Sequence, residues 1–570
     1  MHHPNPAIVA QSAVRRLPRF ALWLFCVAYV LPGFFGRDAW KSADMAALGY
    51  MAELAQGRAS WMAPTLLGMA PEHPALLPYW LGAGALQFAP AWLASDMAVR
   101  LPFIALLALT LISAWYGTYY LARTPLAQPV AFAFGGEAST TDYARAMADG
   151  GLLALIASLG LAQLAHETTP AVAQLGFGAL LFYGASALPY HRMGSAIAIA
   201  IGMVGLALSG APAIALALGL GVALIHRLDH ASAAQSEVEH AKSQPIAREA
   251  AAVALLTVLV AALVASIGFW RWKIDLPQAA WPEWSGIFQM LIWFTWPTWP
   301  LAAWTLWRWR HQLFNRRISR HMALPFWFVL VPLVATLFTG ASDRTLLLAL
   351  PALACLAAFA LPTLQRQVAA LIDWFTLLFF SGCGIIIWVV WIAMQTGVPA
   401  QPAANVVRLA PGFVASFSWL QLLIAVAATL VWAWLVKWRV GRHRAAIWKS
   451  LVLPAGGAAL CWLLLMTLWM PLLNYARSYN TLVERTTKVT GTDGCVAVSG
   501  LSQGQIAAFQ FYGKLQLQTF SEDTPCPWLL VEPDASGAAP KDLPLAGWHT
   551  VALIKHPADT NESVLIYHRP

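Results

Sequence analysis

The chain has 570 residues, of which 59% are hydrophobic and only 11% are charged. Soluble globular domains do not reach this composition, so it excludes a soluble protein and indicates a polytopic membrane protein. The net charge of +9 requires no nucleic-acid partner, because basic residues beside apolar runs are what the cytoplasmic loops of membrane proteins carry.

Apolar runs long enough to cross a hydrocarbon core of ~30 Å as a helix recur along the chain. The first run leads directly into a charged segment without a small-residue cleavage pattern, which favours a retained span over a signal peptide. The sequence therefore predicts a mainly α-helical transmembrane bundle. Its candidate spans are residues 19–36, 77–94, 99–120, 149–165, 171–188, 193–208, 211–226, 250–270, 285–306, 324–340, 345–363, 372–396, 413–436 and 450–473.

Three basic clusters orient these spans. Lysine and arginine gather before the first span at residues 15–19, in the loop at 308–320 and in the loop at 437–449. The positive-inside rule makes all three cytoplasmic, together with the N-terminus. The spans after residue 248 then alternate without conflict and place the C-terminus on the periplasmic side of a bacterial inner membrane.

The first half of the chain contains one candidate span too many. Arg227 and Arg248 flank a polar loop that should be cytoplasmic, which requires an even number of crossings before it. Seven candidates precede that loop, so one of them does not cross. We expect it within the pair 149–165 and 171–188, which makes thirteen spans in total.

The polar connection between the first two apolar runs, residues 36–80, concentrates the scarce charges of the chain. Ionisable residues this close to a membrane indicate chemistry or a substrate path. Its charged and histidine residues include Asp38, Asp44, Glu53 and Glu72 together with Arg37, Lys41, Arg58 and His73.

Residues 474–570 have the composition of a small soluble domain. β-prone runs at 495–498, 528–531 and 551–555 alternate with turn residues, and LSQGQIAAFQFYG favours a helix. We predict a small periplasmic domain of α/β or α+β type, with α/β preferred, that follows a membrane domain of residues 1–473. Cys495 and Cys526 are the only cysteines in this tail, and a disulfide between them fits an oxidising compartment such as the periplasm.

Soluble nucleotide chemistry is not indicated. The chain contains no Walker motif, no dinucleotide-binding fingerprint and no CxxC or HExxH metal motif. If the protein is an enzyme, its activated substrate arrives through the membrane, as a lipid.

The motifs of the first loop resemble those of GT-C membrane glycosyltransferases, in particular the protein O-mannosyltransferases and the lipid A aminoarabinose transferase. An acidic motif follows span one, then Trp-x-x-Pro, Gly and Glu-x-Pro before an aromatic-rich span two. A second block, GASDRTLLLALPALA, resembles the family's Ser-x-x-Lys/Arg stretch. The first-loop elements are WKSADMA, Trp61 to Pro64, Gly68, Glu72 to Pro74 and Pro78 to Trp80, with Arg100 to Pro102 at span three.

The resemblance implies transfer of a sugar from a polyprenyl-phosphate (undecaprenyl-phosphate) carrier to a periplasmic acceptor. The acceptor would be lipid A, another envelope glycan or a protein. A first-loop carboxylate would act as the base, and cations would stabilise the departing phosphate. The resemblance makes Asp44 the base and makes Glu72 a ligand of a possible divalent metal ion. Further substrate contacts are implied for Lys41, Glu72, His73, Tyr79, Arg100, Asp149, Lys273 and Arg344.

The chain departs from the family pattern at the catalytic position. Spacing back from Glu72 places Ala43 where the family has its first aspartate, so Asp44 occupies the second acidic position. Asp44 serves after a shift of one residue, Asp38 replaces it, or catalysis is impaired. His73 stands where the family has lysine.

Structural roles compete with these functional ones. Asp38 would pair with Arg37, and Asp44 would be a first-turn helix charge. Asp149 would mark the interfacial start of an apolar segment, and Arg344 would pair with Asp343. Lys273 would be an interfacial anchor in the aromatic loop 270–284.

Two alternatives to a glycosyltransferase are also compatible with the sequence. A lipid or sugar transporter would also need many spans, but such proteins typically show internal repeats and charges deep within spans, and neither pattern stands out here. A catalytically silent member of the family would explain Ala43.

Overall fold

The computed structural model describes residues 6–233, 243–270, 281–313, 318–338, 342–440, 446–492, 494–534, 537–540 and 543–569. Within these residues the chain forms a helical bundle followed by one small sheet. The helices of the first half are α1 Arg19–Val30, α2 Ala43–Ala55, α3 Leu77–Phe88, α4 Ser95–Ala122, α5 Thr140–Ala157, α6 Leu159–Leu164, α7 Pro170–Ala187, α8 Arg192–Leu208 and α9 Pro212–Ala233.

The described residues of the second half of the chain form fourteen further α-helices, the last of which belongs to the C-terminal domain. They are α10 Ser243–Ser266, α11 Trp281–Phe294, α12 Thr298–Arg308, α13 Arg310–Leu313, α14 Arg320–Phe338, α15 Asp343–Leu346, α16 Leu350–Ala360, α17 Arg366–Thr396, α18 Ala400–Leu409, α19 Trp419–Val440, α20 Lys449–Leu468, α21 Met470–Arg477, α22 Asn480–Thr490 and α23 Gln503–Phe511.

Contacts between distant residues define two ends of the bundle. At one end, Arg16 pairs with Asp142 at 3.0 Å, and the indole of Trp448 donates to the Arg15 carbonyl at 2.8 Å. We call this the lower end. The opposite, upper end carries the first loop, residues 31–76, and the C-terminal domain. The basic cluster that precedes span one therefore lies opposite the first loop.

The segment that does not cross the bundle is residues 77–94. The amide of Leu76 donates to the Leu208 carbonyl at 2.8 Å, and the Gln87 side chain donates to the Ala55 carbonyl at 3.3 Å. Both ends of α3 therefore lie with the first loop, and α4 starts at the same end. The expectation that the pair 149–165 and 171–188 holds the non-crossing segment is wrong. Twelve residues of α3 reach only ~18 Å, too short for a hydrocarbon core of ~30 Å.

Two of the crossings each consist of two consecutive helices with a break between them, and the two breaks contact each other. α5 and α6 meet at Ser158, and α11 and α12 meet at residues 295–297. The amide of Leu159 donates to the Trp296 carbonyl at 3.0 Å, and the Thr298 hydroxyl donates to the Ala154 carbonyl at 3.3 Å. Backbone groups freed within a membrane must find such partners, because lipid supplies none.

The crossings now agree with the basic clusters. Nine long apolar helical segments and two shorter ones, α1 and α8, are found among the described residues. The two interrupted passages bring the described total to thirteen, the predicted number. Six of them precede the 227–248 loop, which therefore lies at the lower end with the N-terminus.

Helices α16 and α20 form the centre of the bundle. All eleven residues of α16 are buried, as are most of α20. Helices α17 and α19 expose long apolar faces, which is expected of surfaces that contact lipid tails. The fold is thus a polytopic helical membrane bundle, as predicted.

The C-terminal domain contains a five-stranded sheet, in the order β2-β1-β3-β5-β4. Its strands are β1 Cys495–Ser499, β2 Gln516–Thr519, β3 Trp528–Val531, β4 His549–His556 and β5 Asp559–His568. β1 runs parallel to β2 and β3, whereas β5 is antiparallel to β3 and β4. The predicted strand runs and the helix α23 are all present, so the α/β prediction is confirmed. A disulfide joins Cys495 and Cys526.

The start of this domain at residue 474 stays a prediction. Helix α21, Met470–Arg477, runs across that position, and α22 follows it before the first strand. Helix α23 begins with a capping box, in which Ser502 and Gln505 satisfy each other's backbone amides.

Candidate active site

Polar residues from five parts of the chain converge at the upper end of the bundle. They come from the first loop, from the turn between α6 and α7, from the start of α15, from α21 and from the C-terminal domain. The first loop leaves α1 through turns in which Gly33 and Gly36 adopt positive φ angles of 93° and 70°, a conformation open mainly to glycine.

Asp44 is sealed inside the protein. It lies in the first turn of α2 and is 5% exposed. One carboxylate oxygen accepts from Arg37 at 2.7 Å and from the amide of Trp40 at 3.3 Å. The other accepts from the amide and the hydroxyl of Thr168 at 2.7 and 2.6 Å. Because an ionised carboxylate has about four lone-pair sites, these donors occupy it completely.

Arg37 is the buried counter-ion of Asp44. It is 2% exposed, donates to the His166 carbonyl at 2.8 Å and stacks on the Trp40 ring at 4.2 Å. Burial lowers the pKa of Arg37, while the negative charges of Asp44 and Glu167 raise it. The structural alternative that paired Arg37 with Asp38 is therefore wrong, since its partner is Asp44.

Asp38 differs from Asp44 in exposure and in electrostatics. Its side chain is only half-buried. Burial raises the pKa of Asp38, whereas Ser478 and the positive charge of Arg100 act to lower it. A half-buried carboxyl group with a raised pKa suits a general base better than one that is buried among four donors.

A second ion pair lies beside Asp44. Arg344 donates to Glu167 at 3.0 Å, so the predicted pairing of Arg344 with Asp343 is wrong. The Arg344 side chain is 34% exposed, and its Nε has no partner among the described residues. Burial, and next the charge of Asp44, raise the pKa of Glu167. Arg344 therefore keeps donor capacity at the edge of the site.

Two further arginines border the same region. Arg100 donates to the Phe34 carbonyl at 2.9 Å and pairs with Asp96 at 3.2 Å. Arg477 lies 5.4 Å from the Trp40 ring and donates to the side chain of Gln163 at 3.1 Å. The positive charges of both act on buried Arg37, so the upper end concentrates cations, as an anionic ligand requires.

The remaining predicted residues are distributed differently. Lys41 pairs with Asp559 of the C-terminal domain at 2.7 Å. Glu72 and His73 are exposed in the turn before α3. The buried Tyr79 packs on Tyr50 at 5.3 Å between ring centres.

Asp149 and Lys273 are not brought to this site. Asp149 lies inside α5, nine residues after the helix begins, and accepts from the indole of Trp115 at 2.9 Å. It follows Asp142, which marks the lower end, by about 10 Å of helix. The structure therefore separates Asp149 from Asp44 and places it near the lower end, where its side chain also bonds to the Leu17 backbone beside the basic cluster. Lys273 and most of the loop 270–284 lie outside the described residues.

The described residues do not offer a complete metal site. No group of three acidic, histidine or cysteine side chains lies together among them. The only metal-ligating side chain next to Glu72 in the sequence is that of His73. A catalytic metal usually takes three protein ligands. The divalent metal stays a prediction.

Sequence reasoning missed several residues of the site. Glu167 and Thr168 belong to the polar run HETTP, residues 166–170, which lies between two apolar segments. A charged residue in such a short connection was the available signal. Asn474, Arg477 and Tyr512 carried no local signal, because only the fold brings them to the first loop.

The chain matches known proteins in structure and not in sequence. No protein-family model matches the chain, and no curated protein matches it. The crystal structure of ArnT from Cupriavidus metallidurans bound to undecaprenyl phosphate matches with a TM-score of 0.57 and 12% identity, covering 97% of this chain and 98% of that chain. The apo structure of the same protein matches with a TM-score of 0.58 and 13% identity, over 96% and 98% of the two chains.

Identity this low establishes the fold alone. The match extends over nearly the whole chain, so it includes both the helical bundle and the C-terminal domain. The protein therefore has the GT-C membrane fold of the ArnT structures, as the first-loop motifs predict.

Proposed function

We propose that the protein transfers a sugar from a polyprenyl-phosphate carrier to an acceptor on the periplasmic side of the bacterial inner membrane. The observation that carries the proposal is the half-buried Asp38, which lies beside a concentration of arginines at one end of a membrane bundle. The fold supports it, because one of the matched ArnT structures is bound to undecaprenyl phosphate. Lipid A, another envelope glycan and a protein are the acceptor classes to test.

The proposed reaction is a displacement at the anomeric carbon. The acceptor oxygen attacks that carbon, and Asp38 takes the acceptor hydroxyl proton as the bond forms. The bond between the anomeric carbon and the phosphate oxygen breaks, and polyprenyl phosphate leaves with the electron pair. Arg344 and Arg477 stabilise the charge on the leaving phosphate, for which a guanidinium offers two parallel hydrogen bonds. Asp44 keeps Arg37 ionised and in place.

An apolar cavity in the lower half of the bundle, at the starts of α17 and α20, suits part of the lipid tail. It has a volume of about 200 Å³ and lies between α12, α17 and α20. Trp296, Trp304 and Phe375 line it, and Phe375 is 46% exposed on the outer face of the bundle. An isoprenoid chain that enters from the bilayer would bury its apolar surface there.

Product detection tests the proposal. Purified protein in detergent should release free polyprenyl phosphate from a polyprenyl-phosphate sugar in the presence of an acceptor, as measured by mass spectrometry. A transporter would move the lipid across vesicles without forming that product. Mass spectrometry of envelope lipids and glycoproteins from a deletion strain would identify the acceptor.

The pH dependence of the reaction should follow Asp38. Because burial raises the pKa of Asp38, its carboxylate becomes protonated at a higher pH than an ordinary aspartate, whose pKa is about 3.9. A protonated carboxyl cannot accept the proton, so kcat/KM falls as the pH is lowered through that pKa. We expect this acidic limb in the wild-type profile and its loss in Asp38→Asn. A variant that keeps the same limb would assign it to another group.

Removal of the phosphate-binding arginines should weaken donor binding. We expect Arg344→Ala and Arg477→Ala each to raise KM for the lipid donor about 10-fold, because a hydrogen bond to a charged group contributes ~1.5–3 kcal/mol. Steady-state kinetics at varied donor concentration measure this. Arg485→Ala is the matched control, since Arg485 contacts the Lys555 carbonyl in the C-terminal domain at 3.4 Å. An unchanged KM in both variants would place the phosphate elsewhere.

A further inference from the structure

The backbone around Asp38 is held by two side chains from outside the first loop. Asn474, on α21, accepts from the Asp38 amide and from the Trp40 indole, each at 3.1 Å, and donates to the Gly36 carbonyl at 2.9 Å. Tyr512, at the end of α23, accepts from the Ala39 amide at 3.0 Å. These bonds fix four of the five residues 36–40. None of these bonds involves the Asp38 carboxylate.

These partners are necessary because residues 36–39 form no helix or regular strand. Backbone amides in such a segment must pair with side chains or with water. Here the two amides that flank the Asp38 α-carbon both pair with side chains, so Asn474 and Tyr512 fix the backbone from which the Asp38 side chain projects, while Ser478 and Asn480 contact the side chain itself. Further along, the Lys41 amide donates to the Arg477 carbonyl at 2.8 Å.

Helix α23 of the C-terminal domain packs so closely against α2 that the two backbones nearly touch. A Cβ added to Gly49 of α2 would lie 2.5 Å from the Cβ of Ala507, and one added to Gly504 would lie 3.1 Å from the Ser42 carbonyl oxygen. The ion pair between Lys41 and Asp559 joins the same two parts. Helix α23 is thus seated firmly enough to hold the Tyr512 hydroxyl against the first loop.

We propose that Asn474 and Tyr512 are positioning residues for Asp38, so that the C-terminal domain supplies part of the active site. The inference rests on the proposed function, because Asp38 is the proposed base. Placement of reacting groups dominates such a reaction, and a displacement of about 1 Å costs roughly 100-fold in rate. A role confined to stability would instead lower the amount of folded protein and leave the turnover of the folded fraction unchanged.

The test uses Tyr512→Phe and Asn474→Ala in the full chain, with Tyr567→Phe as the control. Tyr567 lies on β5 of the same domain, opposite Leu529 and Thr550. We expect kcat to fall about 10-fold in Tyr512→Phe and about 100-fold in Asn474→Ala, with KM for the lipid donor within about 2-fold of wild type. Tyr567→Phe should retain wild-type kcat. Should Asn474→Ala fail to fold, Tyr512→Phe carries the test, because it removes a single oxygen.

Hydrogen exchange gives a second readout that needs no activity. Tyr512→Phe should accelerate exchange of the Ala39 amide, and Asn474→Ala that of the Asp38 amide, while amides in the centre of α2 stay protected. Folded variants that keep wild-type kcat would overturn the inference. If the wild-type protein itself forms no product, the proposed function fails, and faster exchange at these two amides would then still establish the contacts.

Discussion

Asp38→Asn should reduce kcat by about 100- to 10,000-fold, the range that a positioned general base contributes. Asparagine keeps the size of the side chain but has no carboxylate to accept the acceptor proton. The substitution leaves the Asp44 pair with Arg37 untouched, because that pair does not involve the Asp38 side chain. Single-turnover transfer from a polyprenyl-phosphate sugar measures the chemical step directly.

A matched control separates the base from a general effect of charge. Asp523→Asn removes a carboxylate from an exposed turn of the C-terminal domain and should leave kcat unchanged. If Asp38→Asn retains turnover while a folded Asp44→Asn loses it, the base is Asp44. That result would restore the assignment that the first-loop motif favours.

The membrane fold could be predicted from the chain because lipid imposes a simple rule on backbone groups. Long apolar runs identified the helices, and the basic clusters gave the correct parity. The one wrong assignment, residues 77–94, concerns a run that contains no charged residue. Its helix ends at Phe88, followed by Ala89 and Pro90, and proline after a short helix was the signal that this segment stops before it crosses.

The site could be predicted only as a region. The motif WKSADMA pointed to the correct loop but could not rank Asp38 against Asp44. Their difference depends on Thr168, which lies 124 residues from Asp44 in the chain, and on Asn474, which lies 436 residues from Asp38. Exposure and hydrogen bonding at this site are tertiary properties, so a local pattern does not contain them. The same applies to Arg344, whose partner is Glu167 rather than the adjacent Asp343.

The largest loss of stability should follow from Asp44→Ala. The change leaves Arg37, which is 2% exposed, without its counter-ion, and removal of one partner of a buried ion pair typically costs ~3–5 kcal/mol. It also leaves the amide and hydroxyl of Thr168 and the amide of Trp40 without their acceptor. Unfolding in mixed detergent micelles, followed by tryptophan fluorescence, measures the free energy of unfolding.

A double-mutant cycle divides this loss into its charge and its hydrogen-bond parts. Arg37→Met alone should also destabilise the protein, since it leaves Asp44 charged and buried. In Arg37→Met with Asp44→Ala no unpaired charge remains, so the double variant should be more stable than the sum of the single effects predicts. It should still be less stable than wild type, because the donors of Thr168 and Trp40 stay without an acceptor. Additive effects of the two substitutions would mean that Arg37 and Asp44 are not coupled, and Asp44 would then be free to act as the base.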